Sequence, residues 1–303
     1  RRSSDLHYKF EVCYMTKNYN QLTSKDKENI VEYYYLNKKV NMNNIARNLN
    51  VSRRSISRVL QEKSVNTRLK NRYVLNENYF NEINTEAKAY ILGFIYADGF
   101  VGNENFNNIV IAVNDLEILE FIVKEIEFTG EIRKTKKGGF TNSRCGYSLN
   151  FSSRIMADRL RNIGLYPNKS LTIDSIPIIR EELVRHFIRG YFDGDGSILL
   201  SHNSSYYKSY DGIIKYVYPT YNFTILGTKN FLKQIISNAE FKYAKIRNTK
   251  TEQIKSLNIC AKKEFDYIFN YLYLDSTIKL ERKYNKWYEI KSAFAAGAVK
   301  QMR

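Results

Sequence analysis

A chain of 303 residues is long enough for two domains, or for one duplicated domain plus a smaller module, each with its own core. Lysine and arginine outnumber aspartate and glutamate by 48 to 31, a formal charge of +17 that points to a polyanionic partner. The 14% aromatic content, with 25 tyrosines, excludes a disordered basic tail, and no apolar run approaches the ~20 residues that span a bilayer.

The anion is therefore expected to be nucleic acid and not a membrane. No charged n-region and apolar h-region open the sequence, so secretion is not expected. Cys13, Cys145 and Cys260 are odd in number, far apart and in no CxxC pair, which predicts buried thiols in a reducing compartment. The cytoplasm of a bacterial or phage-infected cell, or an organellar matrix, is the expected location. Heavy use of Lys, Asn, Ile and Tyr fits an AT-rich gene.

Residues 1–62 are expected to form an N-terminal DNA-binding domain, with three short helices over 22–62. From Ser24 to Leu36 apolar residues recur at helical spacing, with Ile30, Val31, Tyr34 and Tyr35 on one face. A second short helix covers Asn44–Leu49. Asn50 then stands at a tight turn that needs a residue tolerant of positive φ, and Ser52 is placed to cap a helix from Arg53 to about Gln61. The string IARNLNVSRRSISRVL resembles the resolvase-like helix-turn-helix family, with small Ala46 at the helix crossing and Leu49, Val51, Ile56 and Val59 closing the core. The exposed face of the last helix would carry Arg53, Arg54, Ser55, Ser57 and Arg58 toward phosphates and base edges. The plainer alternative is a three-helix packing unit with a solvated basic face.

Residues 63–85 are polar, basic and aperiodic, and read as a linker that could hold a short strand near Arg72–Leu75. From about Thr85 the same unit is expected twice, as half-domains 86–178 and 179–290, followed by a small-residue tail, 291–303. Each copy opens with an apolar helix ending in Asp-Gly, Ala87–Gly99 and Glu182–Gly196, and continues as αββαββα. SLNFSSR (148–154) matches SLNICAK (256–262). Thus the expected fold class is α+β: a duplicated core with pseudo-twofold symmetry, polar-faced antiparallel sheets covered by helices, and a small all-α domain.

The two helices carry the most specific signal, YILGFIYADG (90–99) and FIRGYFDGDG (187–196). Gly93 and Gly190 sit mid-helix, where glycine costs about 1 kcal/mol relative to alanine. Close approach of two helix backbones explains both. Such packing would bring Asp98 and Asp195 side by side at the helix ends, where two carboxylates repel and a divalent cation relieves them. Mg²⁺ is the expected cofactor, with Mn²⁺ or Ca²⁺ able to take the same sites, and the adjoining Gly99 and Gly196 belong to the expected metal site. Asp193 has no partner in the first copy, where Tyr96 stands, and reads as a helix-end or supporting residue.

These strings resemble the LAGLIDADG motif of homing endonucleases, and the resemblance covers roughly residues 85–290. It implies a metal-dependent, site-specific double-strand DNA endonuclease whose last motif acid binds metal, acting on a long recognition site as a monomer without an obligate protein partner. The stretch GLYPNKSLTIDSIP (164–177) resembles the segment preceding the second motif in that family, which implies that Lys169 lies near a scissile phosphate. Its counterpart in DSTIKLERKYNKW (275–287) is expected at Lys283, with Lys279 as the alternative. A lysine there could stabilise charge on the transition state or orient water.

The DNA-reading surface is expected on strand pairs 100–111, 130–151, 197–225 and 242–259. Arg133, Lys134, Lys136, Lys137 and Arg144 cluster on one hairpin, and Lys245, Arg247 and Lys250 on another. A non-cleaving DNA-binding regulator, or an intron-splicing RNA cofactor on the same scaffold, is the competing expectation. An intein-embedded enzyme is less expected, because the sequence has no nucleophile at residue 1 and no terminal His-Asn.

Overall fold

A computed structural model of the protein describes residues 16–36, 42–65, 73–135, 146–210 and 212–302. The chain divides into two compact units, Arg1–Arg72 and Tyr73–Arg303.

The first unit contains α1 (Ser24–Leu36), α2 (Met42–Leu49) and α3 (Arg53–Glu62). Ile30, Ile45, Val51, Ile56, Val59, Leu60 and Val65 form its core. On α1, Tyr33 packs beside Tyr34 against this core, while Tyr35 is half exposed; the helix is rotated slightly from the face expected. Asn50 adopts φ 52° between α2 and α3, a left-handed conformation that Asn tolerates. Ser52 caps α3, its hydroxyl accepting from the Ser55 amide at 3.2 Å.

The second unit runs α4 (Glu86–Asp98), β1 (Gly99–Val101), β2 (Asn108–Val113), α5 (Leu116–Glu125), β3 (Arg133–Lys134), β4 (Tyr147–Ser152) and α6 (Arg154–Asn162). The short helix α7 (Lys169–Thr172) leads into the second copy. That copy runs α8 (Glu181–Asp195), β5 (Ser197–Ser209), β6 (Gly212–Thr228), α9 (Lys229–Asn238), β7 (Lys245–Asn248), β8 (Ile254–Ile259) and α10 (Phe265–Tyr273). Two further elements, α11 (Glu281–Ala296) and β9 (Val299–Met302), follow. The class is α+β, and αββαββα occurs twice.

The sheets are antiparallel, with orders β1-β2-β4-β3 and β5-β6-β8-β7; β9 adds to β6. Ile109 and Ile111 of β2 pair with Phe151 and Leu149 of β4, and Phe223 and Ile225 of β6 with Ile259 and Leu257 of β8. All eight side chains are buried, so period-two alternation turns one face of each sheet into a single core shared by both halves.

One expectation of layout is corrected. The linker over 63–85 does not extend past its first part: Tyr79 and Phe80 are buried in the second unit's core, and Tyr73, Leu75 and Ile83 pack on it. No strand forms at 73–75, but Val74 and Asn76 exchange backbone hydrogen bonds with Thr129 and Ile126. Aromatic anchors spaced through polar sequence hide this from periodicity. The stretch 291–303, to which the sequence assigned no role, holds the end of α11, which runs to Ala296, and β9, which pairs with Ile214–Val217 of β6.

Candidate active site and nucleic-acid interface

The site is built on the contact between α4 and α8. A Cβ added at Gly93 would lie 2.0 Å from the Phe187 carbonyl oxygen, and one at Gly190 would lie 2.0 Å from that of Tyr90. The contact is reciprocal, as a twofold relation requires. Thr85 caps the start of α4, its hydroxyl accepting from the Lys88 amide at 3.3 Å. Both helices end on their Asp-Gly pair. Gly99 and Gly196 are the C-caps, each with its amide donating to the carbonyl four residues back.

The crossing brings Asp98 and Asp195 to the same end. Burial pushes the Asp98 carboxyl up to about 6, with the neighbouring Asp195 adding to the rise and Lys283, Lys169 and Arg282 opposing it. Asp195 is exposed, so the two motif acids differ in surroundings.

A lysine serves each helix end. Lys169 Nζ donates to the Tyr96 carbonyl at 2.6 Å and to that of Ala97. Lys283 Nζ donates to the carbonyls of Phe192 at 2.6 Å and Gly194 at 3.1 Å, and to that of Gly196. Each ammonium occupies the negative end of a helix, where unpaired carbonyls accumulate. Burial draws Lys169 down from the usual lysine range and draws Lys283 down to about 8, against the pull of the aspartates. Lys279 instead lies over the Tyr284 ring at 4.0 Å, away from this site.

Asp193 is buried as a structural hub. It accepts from Tyr90 Oη at 2.8 Å, Tyr273 Oη at 2.7 Å and the Leu280 amide at 2.9 Å. Burial raises its carboxyl while these donors and Lys283 oppose the rise. Its counterpart Tyr96 does the same work with opposite polarity, donating to the Ile163 carbonyl at 2.6 Å beyond the end of α6. The difference at this motif position is thus a swap of donor and acceptor between helix end and core.

Among the described residues no three His, Cys, Asp or Glu side chains gather as a metal cage. Asp98 and Asp195 are a two-carboxylate donor set whose mutual repulsion a hard cation would relieve. Such a set would suit Mg²⁺, a hard cation that takes oxygen ligands and is held through one or two carboxylates. The Gly196 carbonyl is engaged by Lys283.

The outer sheet faces carry polar residues in matching registers. Arg133 pairs with Ser148 on the solvent side of the first sheet, and Arg247 pairs with Ser256 on the solvent side of the second, with Lys245 opposite Asn258. Lys134 pairs with Tyr147, in the register of the buried residues, so it lies on the opposite face from Arg133. Lys250 is exposed in the turn after β7. Lys136, Lys137 and Arg144 lie outside the described residues, as do Cys13 and Cys145. Cys260 is exposed, a correction to the expected buried thiol: it follows the last residue of β8, where the sheet ends, and donates to Asn222 Oδ1 at 3.2 Å.

In the first unit Arg53, Arg54, Ser57 and Arg58 line an open groove with Gln61. Ser55 does not join them. It is buried, its hydroxyl 2.7 Å from that of Ser52, because it sits one turn before Val59 on the core face of α3. Arg58 also stacks on Tyr19 at 4.1 Å, which restrains its guanidinium.

Sequence reasoning missed Arg282, whose Nε donates to both carboxylate oxygens of Asp115 at 3.0 Å. It also missed Tyr90 and Tyr273 as partners of Asp193. The basic run around Lys283 was a signal for Arg282; nothing local could have paired it with a residue 167 positions away.

No family model matches the sequence. An uncharacterized protein of Methanocaldococcus jannaschii is 25% identical over 171 residues, 52% of this chain and 60% of that protein, so the match spans less than two thirds of the relative's length. Among solved structures, the I-LtrWI LAGLIDADG homing endonuclease bound to target DNA aligns over 73% of this chain and 91% of its own, at 14% identity and TM-score 0.49. The LAGLIDADG meganuclease I-AabMI bound to uncleaved DNA aligns over 69% and 90%, at 10% identity and TM-score 0.46. I-SmaMI, bound to uncleaved DNA target in the presence of calcium ions, aligns over 69% and 91%, at 17% identity and TM-score 0.42.

Proposed function

We propose that this chain is a site-specific double-strand DNA endonuclease of the LAGLIDADG homing type. The observation that carries the reading is the reciprocal glycine contact, which sets two helix-end aspartates together with one lysine at each helix end.

In this reading Asp98 and Asp195 hold a divalent cation, Mg²⁺ in the cell, with Mn²⁺ or Ca²⁺ able to take the same place. When bound, the cation lowers the pKa of water and stabilises charge on phosphate oxygens. The chain's own residues do the rest. Asp98 and Asp195 orient the site, while Lys169 and Lys283 hold positive charge where it offsets charge growing on the two scissile phosphates. Sheet residues such as Arg133, Lys245 and Arg247 face the major groove. Arg53, Arg54, Ser57 and Arg58 of α3 extend the contact as a helix-turn-helix. A single chain then supplies both halves of the site and works as a monomer on a long target.

Duplexes selected from a randomised library test the proposal. Cutting of both strands is expected with Mg²⁺, and loss of at least about a thousandfold in rate is expected for Asp98→Asn and for Asp195→Asn, with binding retained. Tight binding with no cutting under any divalent cation would replace the endonuclease reading with a DNA-binding regulator.

A further inference from the structure

A cleft of about 390 Å³ opens beside Asp98, between the C-terminal ends of α4 and α8 and the end of β2. Most of its walls belong to the first half, but Arg282 reaches across from the first turn of α11. Its Nε is fixed by both oxygens of Asp115, the residue preceding α5. Among the described residues its two Nη groups meet no protein acceptor, and the side chain is 58% exposed. One edge of the guanidinium is therefore anchored, and the other meets no acceptor among the described residues. Asp115 engages Nε, which leaves the Nη donors as the edge available to an anion.

The second half carries different residues at the places of Arg282 and Asp115. Lys169 and Lys283 occupy equivalent places, so Asn168 stands where Arg282 stands. The cap of α9 is Thr228 where that of α5 is Asp115, and its hydroxyl donates to the Ile173 carbonyl at 2.6 Å. Tyr191, the counterpart of Phe94, carries a hydroxyl that Phe94 lacks and donates it to the Leu226 carbonyl at 2.9 Å.

We propose that Arg282, held by Asp115, binds a backbone phosphate of one DNA strand only, the strand that enters the cleft beside Asp98. The inference rests on the endonuclease reading and adds a strand-specific contact to it. A guanidinium presents two parallel donors that match phosphate geometry, and Nε pinned to a carboxylate fixes their plane in advance.

Two measurements decide it. In the first, wild type, Arg282→Ala, Arg282→Lys and Asp115→Asn bind a 40-base-pair duplex of arbitrary sequence without divalent cation across a salt series. The duplex length is about that of a long recognition site with flanks. Arg282→Ala should weaken binding several-fold and lower the salt slope by about one counterion, with thermal unfolding unchanged in midpoint. In the second, strand-resolved cleavage of a selected target should show one strand slowed about tenfold or more while the other keeps its rate, so that nicked duplex accumulates. Arg282→Lys should recover part of the affinity and less of the strand bias, since a point charge lacks the planar fork. An unchanged salt slope, or equal slowing of both strands, overturns the proposal. If wild type cuts nothing, the endonuclease reading fails, and the binding series alone still decides whether Arg282 contacts phosphate.

Discussion

Single residues away from the candidate site carry measurable consequences. At the other end of the α4–α8 contact, Arg189 is fully buried and donates to Glu86 Oε1 at 2.6 Å and the Leu272 carbonyl at 3.0 Å. Its Nη1 also faces His186 Nδ1 at 2.8 Å. Burial first, then Arg189, pull the imidazole down to about 4, with Arg185 in the same direction and Glu86 opposing. An unfolded histidine titrates near 6.5. Between about 6.5 and 4 the unfolded chain therefore binds a proton that the folded chain does not, and stability falls as pH falls through that window. Urea unfolding at pH 7 and pH 5 should show wild type losing about 1–2 kcal/mol more than His186→Gln. Equal losses would mean that His186 is protonated in the folded protein.

The paired helices α4 and α8 set a second prediction. Their backbones touch at Gly93 and Gly190, and a methyl group there meets a carbonyl oxygen of the opposite helix and no flexible side chain. Gly93→Ala should cost about 3 kcal/mol or more despite alanine's better helix propensity, because the helices must separate. A denaturation midpoint equal to wild type would show that the helices do not touch there. The mid-helix glycines and the Asp-Gly ends made this pair legible in sequence, since a penalty taken twice at equivalent positions needs a reason. Helix α11 was not legible. It is amphipathic only in part: Ile290 is buried, and Trp287 is buried against Phe265, Phe269 and Phe192, which lie outside the helix. The paired lysines were legible as candidates: Lys169 followed from a recognisable segment and Lys283 was preferred over Lys279, while the carbonyls each one meets were set by the directions of α4, α8 and α11.

For the molecule as a whole, the two compact units have separate cores, and the second contains both αββαββα copies. Residues 73–303 alone should therefore unfold in one cooperative transition and cut the same target, with weaker binding that is restored in the full chain. Calorimetry and a gel-shift series check this; failure to fold would mean that the first unit is part of the core. The boundary falls near residue 72 and not at 85, because Tyr73 donates to the Ser152 carbonyl at 3.1 Å and Phe80 is buried.

Sequence by itself determined the duplication, the two helix ends with their aspartates, the period-two strands, the three-helix core of the first unit and the basic charge. Each of these depends on residue type and local spacing, which the chain carries explicitly. Tertiary structure alone decided that Ser55 is buried, that Asp193 answers Tyr96 by exchanging donor and acceptor, and that Arg282 crosses to Asp115. Those depend on which side chains meet across more than 50 intervening residues or on the rotation of a helix about its axis, and no local pattern encodes either. The two motifs look alike in sequence, but their surroundings differ: Asp98 is sunk beside an open cleft with an arginine at its mouth, and Asp195 is exposed. Symmetry was written in the residues, and its breaking was set by packing.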